Sequence, residues 1–597
     1  MFKFKLTYVA LAAALSSTVV YADPSTYTHL SGATVVDIEA PNAAGVSHNL
    51  YREFNVGSNG LILNNSDSDI NHATFGNIAK NNNLTNGGAS VILNEVTSNK
   101  ASSLNGFIEV AGLKADVVIA NPNGITCSGC SFVNTNKAIL TTGQVNLTDE
   151  GAIGSYTITN GKITIGENGM DASTSYAALL ADAVAINGMV NAGNATVGGG
   201  NFTFDNSTGA MTSAGKSATV LQMISPVYSI DISSLGGIKA NSISMVGNNL
   251  GFGVRNKGSI TANSTLSITN NGLLTNDGSI ASNGYLTSIA ASGNFTNNGT
   301  LTTKNMTMIT TYGALNNGSK GTISSTKQLV LNASGNIQNS GTISATSSLV
   351  AASNGAITNN AGAKITSDAQ LTATSLGNFT NDGTIKGKNT AVNFIGTNFK
   401  NTGTISATGK VAVKSLNQDS TTNTGEIYNL GTISGENIDM QTNGTLAQST
   451  SGRMEATNAI TAHSYWLNQN GYMKAADITT DHGVVNNYGN ITAKNISITT
   501  TSDITNEGTI SSTGNLLLST QNRGVIYNYS TLSASGDMTL TATKVVNGGA
   551  KCGWFGLARC GVGTLTANKL ILNSSHNYAS DMGGYQYYKI AEINTVL

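Results

Sequence analysis

A five-residue phrase, Asn-x-Gly-Thr/Ser-Ile/Leu, returns about every twenty residues through the later part of this chain. It reads Asn256-Lys-Gly-Ser-Ile260, Asn276-Asp-Gly-Ser-Ile280, Asn297-Asn-Gly-Thr-Leu301 and Asn339-Ser-Gly-Thr-Ile343. It continues as Asn381-Asp-Gly-Thr-Ile385, Asn401-Thr-Gly-Thr-Ile405, Asn429-Leu-Gly-Thr-Ile433 and Asn506-Glu-Gly-Thr-Ile510. The steps 256→276, 276→297 and 381→401 are 20, 21 and 20 residues, and 339→381 is two steps of 21. A fixed period of this length marks a solenoid, whose units bury a core only by stacking. A disordered Ser/Thr/Asn/Gly-rich linker would lack the Ile, Leu and Val that recur here.

One repeat shows what the period builds. Phe399, Ile405, Ala407, Val411 and Val413 share one parity, so as strand residues they point the same way. Lys400, Ser406, Lys410, Ala412 and Lys414 take the other face. Asn401 to Gly403, Thr408-Gly409 and Ser415 to Asn417 interrupt the strands as turn signals, with Gly expected to supply positive φ and Asn to tolerate it. Three short strands and three turns per repeat describe one coil of an all-β, right-handed parallel β-helix, a solenoid with an N-terminal cap and a short C-terminal cap. The hand follows from the preference for right-handed parallel crossovers. Asn at equivalent turns can form side-chain ladders from coil to coil. About 550 residues at about twenty per coil predict about 27 coils and a rod on the order of 130 Å long, at ~4.8 Å between coils.

Composition narrows the function. Of 597 residues only 10% are charged, and 30 basic against 31 acidic side chains leave a net charge of −1. There is no Lys/Arg run, so nucleic-acid binding has no electrostatic footprint. At the start, Lys3 and Lys5 precede an apolar run from Leu6 to Val20, followed by Val20-Tyr-Ala22. This reads as a signal peptide over residues 1–22, cut before Asp23. The run is shorter than the roughly 20 residues that span a bilayer, and no other segment is long enough, so no transmembrane helix is expected. Four Cys form two close pairs, Cys127/Cys130 and Cys552/Cys560. In an exported chain this spacing favours two small-loop disulfides over a thioredoxin-like redox pair or a four-Cys zinc site.

Between Tyr27 and Gly143 the pattern is denser. Tyr51-Arg-Glu-Phe-Asn-Val56, Asn81-Asn-Asn-Leu84 and Val91-Ile-Leu-Asn-Glu-Val96 lead to Ala115-Asp-Val-Val-Ile-Ala-Asn-Pro-Asn-Gly-Ile125. Cys127-Ser-Gly-Cys130 and Ala138-Ile-Leu-Thr-Thr-Gly143 follow. This order resembles the secretion domain of two-partner-secretion exoproteins, the filamentous-haemagglutinin and haemolysin-like family. The resemblance extends more weakly to about residue 250, and the later repeats resemble the family's filament body. It implies that the N-terminal domain is recognised, unfolded or partly folded, by a dedicated outer-membrane β-barrel transporter. The chain then threads outward and folds coil by coil at the cell surface. By the same resemblance, Asn121, Pro122, Asn123, Gly124 and Ile125 match the second secretion motif. Asn81, Asn83 and Leu84 match the first, with Asn82 standing where Pro is usual. A purely structural reading of these Asn residues, as β-helix turns and ladder caps, stands beside the recognition role.

Catalytic patterns are missing: no Gly-x-Ser-x-Gly elbow, His-Glu-x-x-His helix or phosphate-cradling loop occurs. No catalytic residue, cofactor site or metal site is assigned, and the chain is not expected to be an enzyme. Asp67, Asp69 and His72 lie in a polar stretch without calcium-loop spacing and are expected in a solvated loop. Near the end, Cys552 to Cys560 either forms part of a cap over the last coil or displays Trp554 and Phe555 as a contact surface.

The expected organisation is signal peptide 1–22, two-partner secretion domain 23–250, β-helical filament 251–550, and disulfide loop with cap 551–597. The expected protein is a monomeric adhesin-like filament on the surface of a Gram-negative bacterium, reached through the periplasm. Its partners would be the transporter and a host or neighbouring cell surface, through protein or glycan. The alternatives are a haemolysin or cytolysin, or the stalk of a contact-dependent growth-inhibition toxin, in full or truncated form.

Overall fold

The structure is a computed structural model that describes residues 23–72, 75–213, 228–249, 251–416, 425–521, 524–548, 550–552, 558–560, 563–574 and 587–596. Of residues 550–552, 558–560 and 587–596 only the backbone is described. The signal peptide, the proposed Cys552–Cys560 pairing, and Trp554 and Phe555 lie outside what is described.

Every regular element among the described residues is a β-strand or isolated bridge. Three columns of parallel strands wind through the repeats. In the first, Ile337–Asn339, Ile357–Asn359, Phe379–Asn381 and Asn398–Asn401 pair in succession. In the second, Thr342–Ala345, Lys364–Ser367, Thr384–Gly387 and Thr404–Ala407 do so. In the third, Ser348–Ser353, Gln370–Ser375, Asn389–Phe394 and Lys410–Ser415 complete each turn. The register carries like onto like, so Ile343, Ile365, Ile385, Ile405 and Ile433 stack as one fully buried file. One continuous apolar core runs from Val36 to Leu570. The parity reading of the sample repeat holds for Phe399, Ile405, Val411 and Val413, while Ala407 is half-buried against the core. Ala412, expected outward, is buried on the outer face between Lys410 and Lys414, both of which bridge to Asp439.

Among the described residues the helix has about 20 turns, against the 27 expected. The N-terminal coils consume more chain. Val46 pairs with Val91, so that coil takes 45 residues, because it holds the antiparallel hairpin of Ile70–His72 and Gly76–Ile78. A second excursion is an antiparallel sheet of Gln144–Leu147, Ile153–Ile158, Phe202–Asp205 and Met211–Ser213. Its Tyr156, Phe202 and Phe204 cover Leu93, Val118, Ile139 and Leu180 on the outside of the helix. Those strands are therefore buried on both faces, which accounts for unbroken apolar runs such as Val117 to Ala120. At the start, Thr26–Thr28 pairs antiparallel with Thr34–Asp37 and caps the column. At the other end, Tyr587–Val596 adds in parallel to Thr564–Ser574.

The phrase that marked the repeats is a turn built on an amide ladder. Asn256 Nδ2 donates to Asn276 Oδ1 at 2.8 Å, and the chain of donors continues through Asn297, Asn317, Asn339, Asn359, Asn381 and Asn401 to Asn429. A second run joins Asn487, Asn506, Asn528 and Asn547. Asn317, Asn359, Asn487, Asn528 and Asn547 occupy ladder positions although their turns depart from the phrase. The role expected of the phrase's glycines needs correction: none of them has positive φ. They are small because successive turns stack in contact. A Cβ on Gly403 would lie 2.0 Å from the carbonyl oxygen of Gly383, and one on Gly431 would lie 2.1 Å from that of Gly403.

Candidate functional site

The two motif turns, Asn81 to Leu84 and Asn121 to Gly124, have the same construction. In each, the first residue is buried, the next two are exposed, and the fourth is buried. Asn81 Oδ1 accepts the backbone N–H of Asn83 at 2.9 Å, and Asn121 Oδ1 accepts that of Asn123 at 3.0 Å. These are Asx turns, in which a side chain stands in for a backbone acceptor. The first residue's carbonyl closes the turn, accepting from Leu84 N at 3.2 Å in one case and Gly124 N at 3.1 Å in the other.

The amide nitrogens reach back to earlier segments. Asn81 Nδ2 donates to the carbonyls of Ile38 (2.8 Å) and Asn64 (3.0 Å), and Asn83 Nδ2 donates to Ile38 as well (3.1 Å). Asn121 Nδ2 donates to the Lys100 carbonyl and to Ser102 Oγ, both at 2.9 Å. Asn123 Nδ2 donates to the Ser98 carbonyl at 2.7 Å. Asn81 is 1% exposed and Asn121 0%. Leu84 and Ile125 enter the core, while Asn82, Asn83, Pro122 and Asn123 form the outward tips. Gly124 has φ +114°, a conformation side chains rarely adopt. Each motif is tied to its own neighbours, and no hydrogen bond joins the two among the described residues.

Cys127 and Cys130 are joined by a disulfide directly after the second motif. Both are buried in the core, and the following strands align with Phe107–Gly112 and Met170–Ala181. The staple expected from the spacing is therefore present.

Asp67 to Asp69 form the exposed bend expected of this polar stretch, but its His72 end is not a solvated loop. Ile70–His72 is a strand of the antiparallel hairpin, and His72 Nε2 lies 2.6 Å from Glu109 Oε1. The His72 ring stacks on Phe75, which stacks on Phe107, so this excursion is held to the helix by rings and by the His72–Glu109 contact. Residues at 67–72 carried no periodic signal that would have shown this pairing. No group of three or more acidic, His or Cys side chains among the described residues could hold a metal ion. No helix among them is long and apolar enough to cross a membrane.

The outer surface of the later coils carries aromatics that the sequence analysis passed over. Tyr465, Trp466 and Tyr488 are exposed. The Arg453 guanidinium lies over the Tyr472 ring at 4.8 Å. Asn468 and Asn486, on the outer face of the same strands, are joined by a hydrogen bond of 3.1 Å.

Two family models match this chain in succession. The family model described as the TPS secretion domain matches residues 13–282. The haemagglutinin repeat matches residues 300–383, 350–431 and 496–575. Similar relatives include a tRNA nuclease CdiA of Yersinia mollaretii, 42% identical over 234 residues, which are 39% of this chain and 8% of that protein. A toxin CdiA of Yersinia pestis is 39% identical over 261 residues, covering 43% of this chain and 8% of its own length. The matched segment is thus a small part of each relative. A crystal structure of the filamentous hemagglutinin secretion domain aligns with 49% of this chain and 93% of its own, at 29% identity and a TM-score of 0.40. With a secretion domain leading into haemagglutinin repeats on one β-helix, the chain belongs to the two-partner secretion exoproteins, secreted cell-surface proteins of Gram-negative bacteria.

Proposed function

We propose that this chain is an adhesin-like filament whose two Asn motifs are read by the outer-membrane transporter before the N-terminal coils form. The observation that carries this reading is the burial of Asn81 and Asn121, whose amides are spent on hydrogen bonds inside the folded turn. A transporter meeting the folded domain would find only the tips at Asn82, Asn83, Pro122 and Asn123. In the unfolded chain all these groups are available. After passage, the same amides close the turns and let the next coil stack, so recognition and folding draw on the same residues in sequence. Nearly local contacts suit this order, because a coil needs only its predecessor as template.

In this reading the signal peptide delivers the chain to the periplasm, residues 23–250 engage the transporter, and residues 251–550 form the reach of a monomeric filament. Its outward hydroxyls, amides and aromatics contact a host or neighbouring cell surface, protein or glycan. The chain itself works without a catalytic centre.

Two measurements test it. Asn121→Ala is expected to lower the amount of chain in culture medium several-fold while the signal peptide is still removed. Purified transporter is expected to bind the urea-unfolded secretion domain on dilution and to bind the folded domain poorly. Equal binding to both would defeat recognition before folding.

A second reading is favoured by the names of the relatives, which are CdiA toxins and nucleases matched over 234 and 261 residues. The chain would then be the delivery stalk of a contact-dependent growth-inhibition system. Co-culture with a susceptible competitor separates the readings: growth arrest by contact supports the stalk, and adhesion without arrest supports the adhesin.

A further inference from the structure

The amide ladder is interrupted once between its two runs. Asn429 ends the first and Asn487 begins the second, and the two coils between them place Gln448 and Gln469 at the ladder position. Each rung elsewhere in these runs is a nitrogen donating to the next coil's oxygen. Three rungs fail here. Asn429 Nδ2 donates to the Arg453 carbonyl at 3.1 Å instead. Gln448 Nε2 donates to the Gly452 and Tyr472 carbonyls at 2.7 and 2.6 Å. Gln469 donates to nothing. The consequence is four buried amide atoms without a partner: Gln448 Oε1, Gln469 Oε1, Gln469 Nε2 and Asn487 Oδ1.

The interior beside the break is altered in the same two coils. The file of Ile433 continues as Met454 and Met473 before returning to Ile491. Gln for Asn and Met for Ile both replace a short or branched side chain with a longer, more flexible one, and Met packs without specifying one arrangement. Two further buried atoms, Thr480 Oγ1 and His482 Nε2, are also unpaired here. Backbone pairing continues: Arg453–Gln469 and Tyr472–Asn487 are long strands that pair in parallel, with one register shift between Glu455 and Ala459. The deficit lies in the interior, where an unmade hydrogen bond costs the full desolvation of the group.

We propose that the coils from Gln448 to Asn487 form a seam at which the filament opens first, dividing the rod into two cooperatively folding blocks. In a solenoid, stability is a sum of coil terms and neighbour interfaces, so one weak set of interfaces uncouples what lies on either side. The block before the seam includes the secretion domain and the regular repeats to Asn429. The block after it begins at Asn487.

Native-state hydrogen exchange on the full chain, read by peptide mass spectrometry, tests this. Amides of Arg453–Gln469 and Tyr472–Asn487 are expected to exchange about tenfold or more faster than those of the coils between Ile323 and Ile405, although both are strand-paired. The double variant Gln448→Asn with Gln469→Asn restores the ladder chemistry and is expected to slow exchange there by about tenfold. The reverse pair, Asn359→Gln with Asn381→Gln, is expected to open a new fast-exchanging zone in the regular repeats. Uniform protection along the rod overturns the proposal, as does a Gln→Asn double variant that folds and exchanges as before. If that variant does not fold, the reverse pair decides: no new fast zone around residues 359–381 overturns the proposal.

Discussion

At the scale of single residues, the two kinds of turn place different demands on the same amino acids. In the repeat turns, glycine is required by contact between coils. Gly403→Ala puts a methyl 2.0 Å from the Gly383 oxygen, which belongs to backbone and cannot rotate away. The turns must part, and the expected cost is about 1–3 kcal/mol, read as a lower urea midpoint. The first Asn motif offers the opposite opportunity. Asn82 sits at the exposed tip where its counterpart is Pro122, and its N–H makes no hydrogen bond among the described residues. Because Asn81 precedes it in the same turn geometry that Asn121 adopts before proline, Asn82→Pro fits without strain. It is expected to stabilise the domain by about 0.4–1 kcal/mol by restricting the unfolded chain. A fall in the thermal midpoint would show that the two turns are not equivalent.

At the scale of the element, a buried histidine makes one coil sensitive to acid. His482 stacks between Ser464 and Thr500, in a file of small hydroxyl residues. Ser464 Oγ donates to the Trp466 carbonyl at 3.0 Å, so it accepts from His482 Nδ1–H at 2.7 Å. The other ring nitrogen is unpaired, and a proton there would place a charge in the core. Burial, with a smaller push from His463 and opposition from Asp481, lowers the His482 pKa to about 4. The unfolded chain binds this proton near pH 6.5 and the folded chain only near 4, so stability falls as pH drops through that window. The loss reaches about 3 kcal/mol by pH 4. His482→Thr, which copies its neighbours, is expected to flatten this part of the pH dependence whatever its constant effect. An unchanged slope in urea titrations between pH 7 and 4 would assign the acid sensitivity elsewhere. None of this was legible beforehand, since a lone His within Asp481-His-Gly483 carries no spacing that distinguishes an inward ring from a solvated one. The amide ladder was legible, because Asn at a constant turn position has one stacking solution. Its break was not, because Gln448 and Gln469 lie in turns that lack the phrase.

At the scale of the whole molecule, the period of the repeat revealed the rod, and the excursions concealed its length. Asn256 to Asn429 obeys one rule per coil, so strands, register and core follow from parity alone. The hairpin at Ile70–Ile78 and the sheet containing Tyr156 and Phe202 add antiparallel strands that obey no period, which is why the expected number of coils was too high. The rule can be tested by removing one unit. Deleting residues 340–359 takes out the chain from just after Asn339 through Asn359, and Asn339 then stacks directly beneath Asn381. Every strand in the three columns keeps its parity, and Ile337 meets Phe379 as Ile357 does now. The rod is expected to fold, to shorten by ~4.8 Å in small-angle scattering, and to lose the stability of one coil and one interface. Deleting only residues 340–349 removes half a coil and joins Asn339 to Val350. The strands that follow then meet the wrong column, their inward side chains turn toward solvent, and the ladder has no partner at the joint. That variant is expected to aggregate or lose its β-sheet circular dichroism. Equal tolerance of both deletions would mean that the coils do not depend on register for their stability.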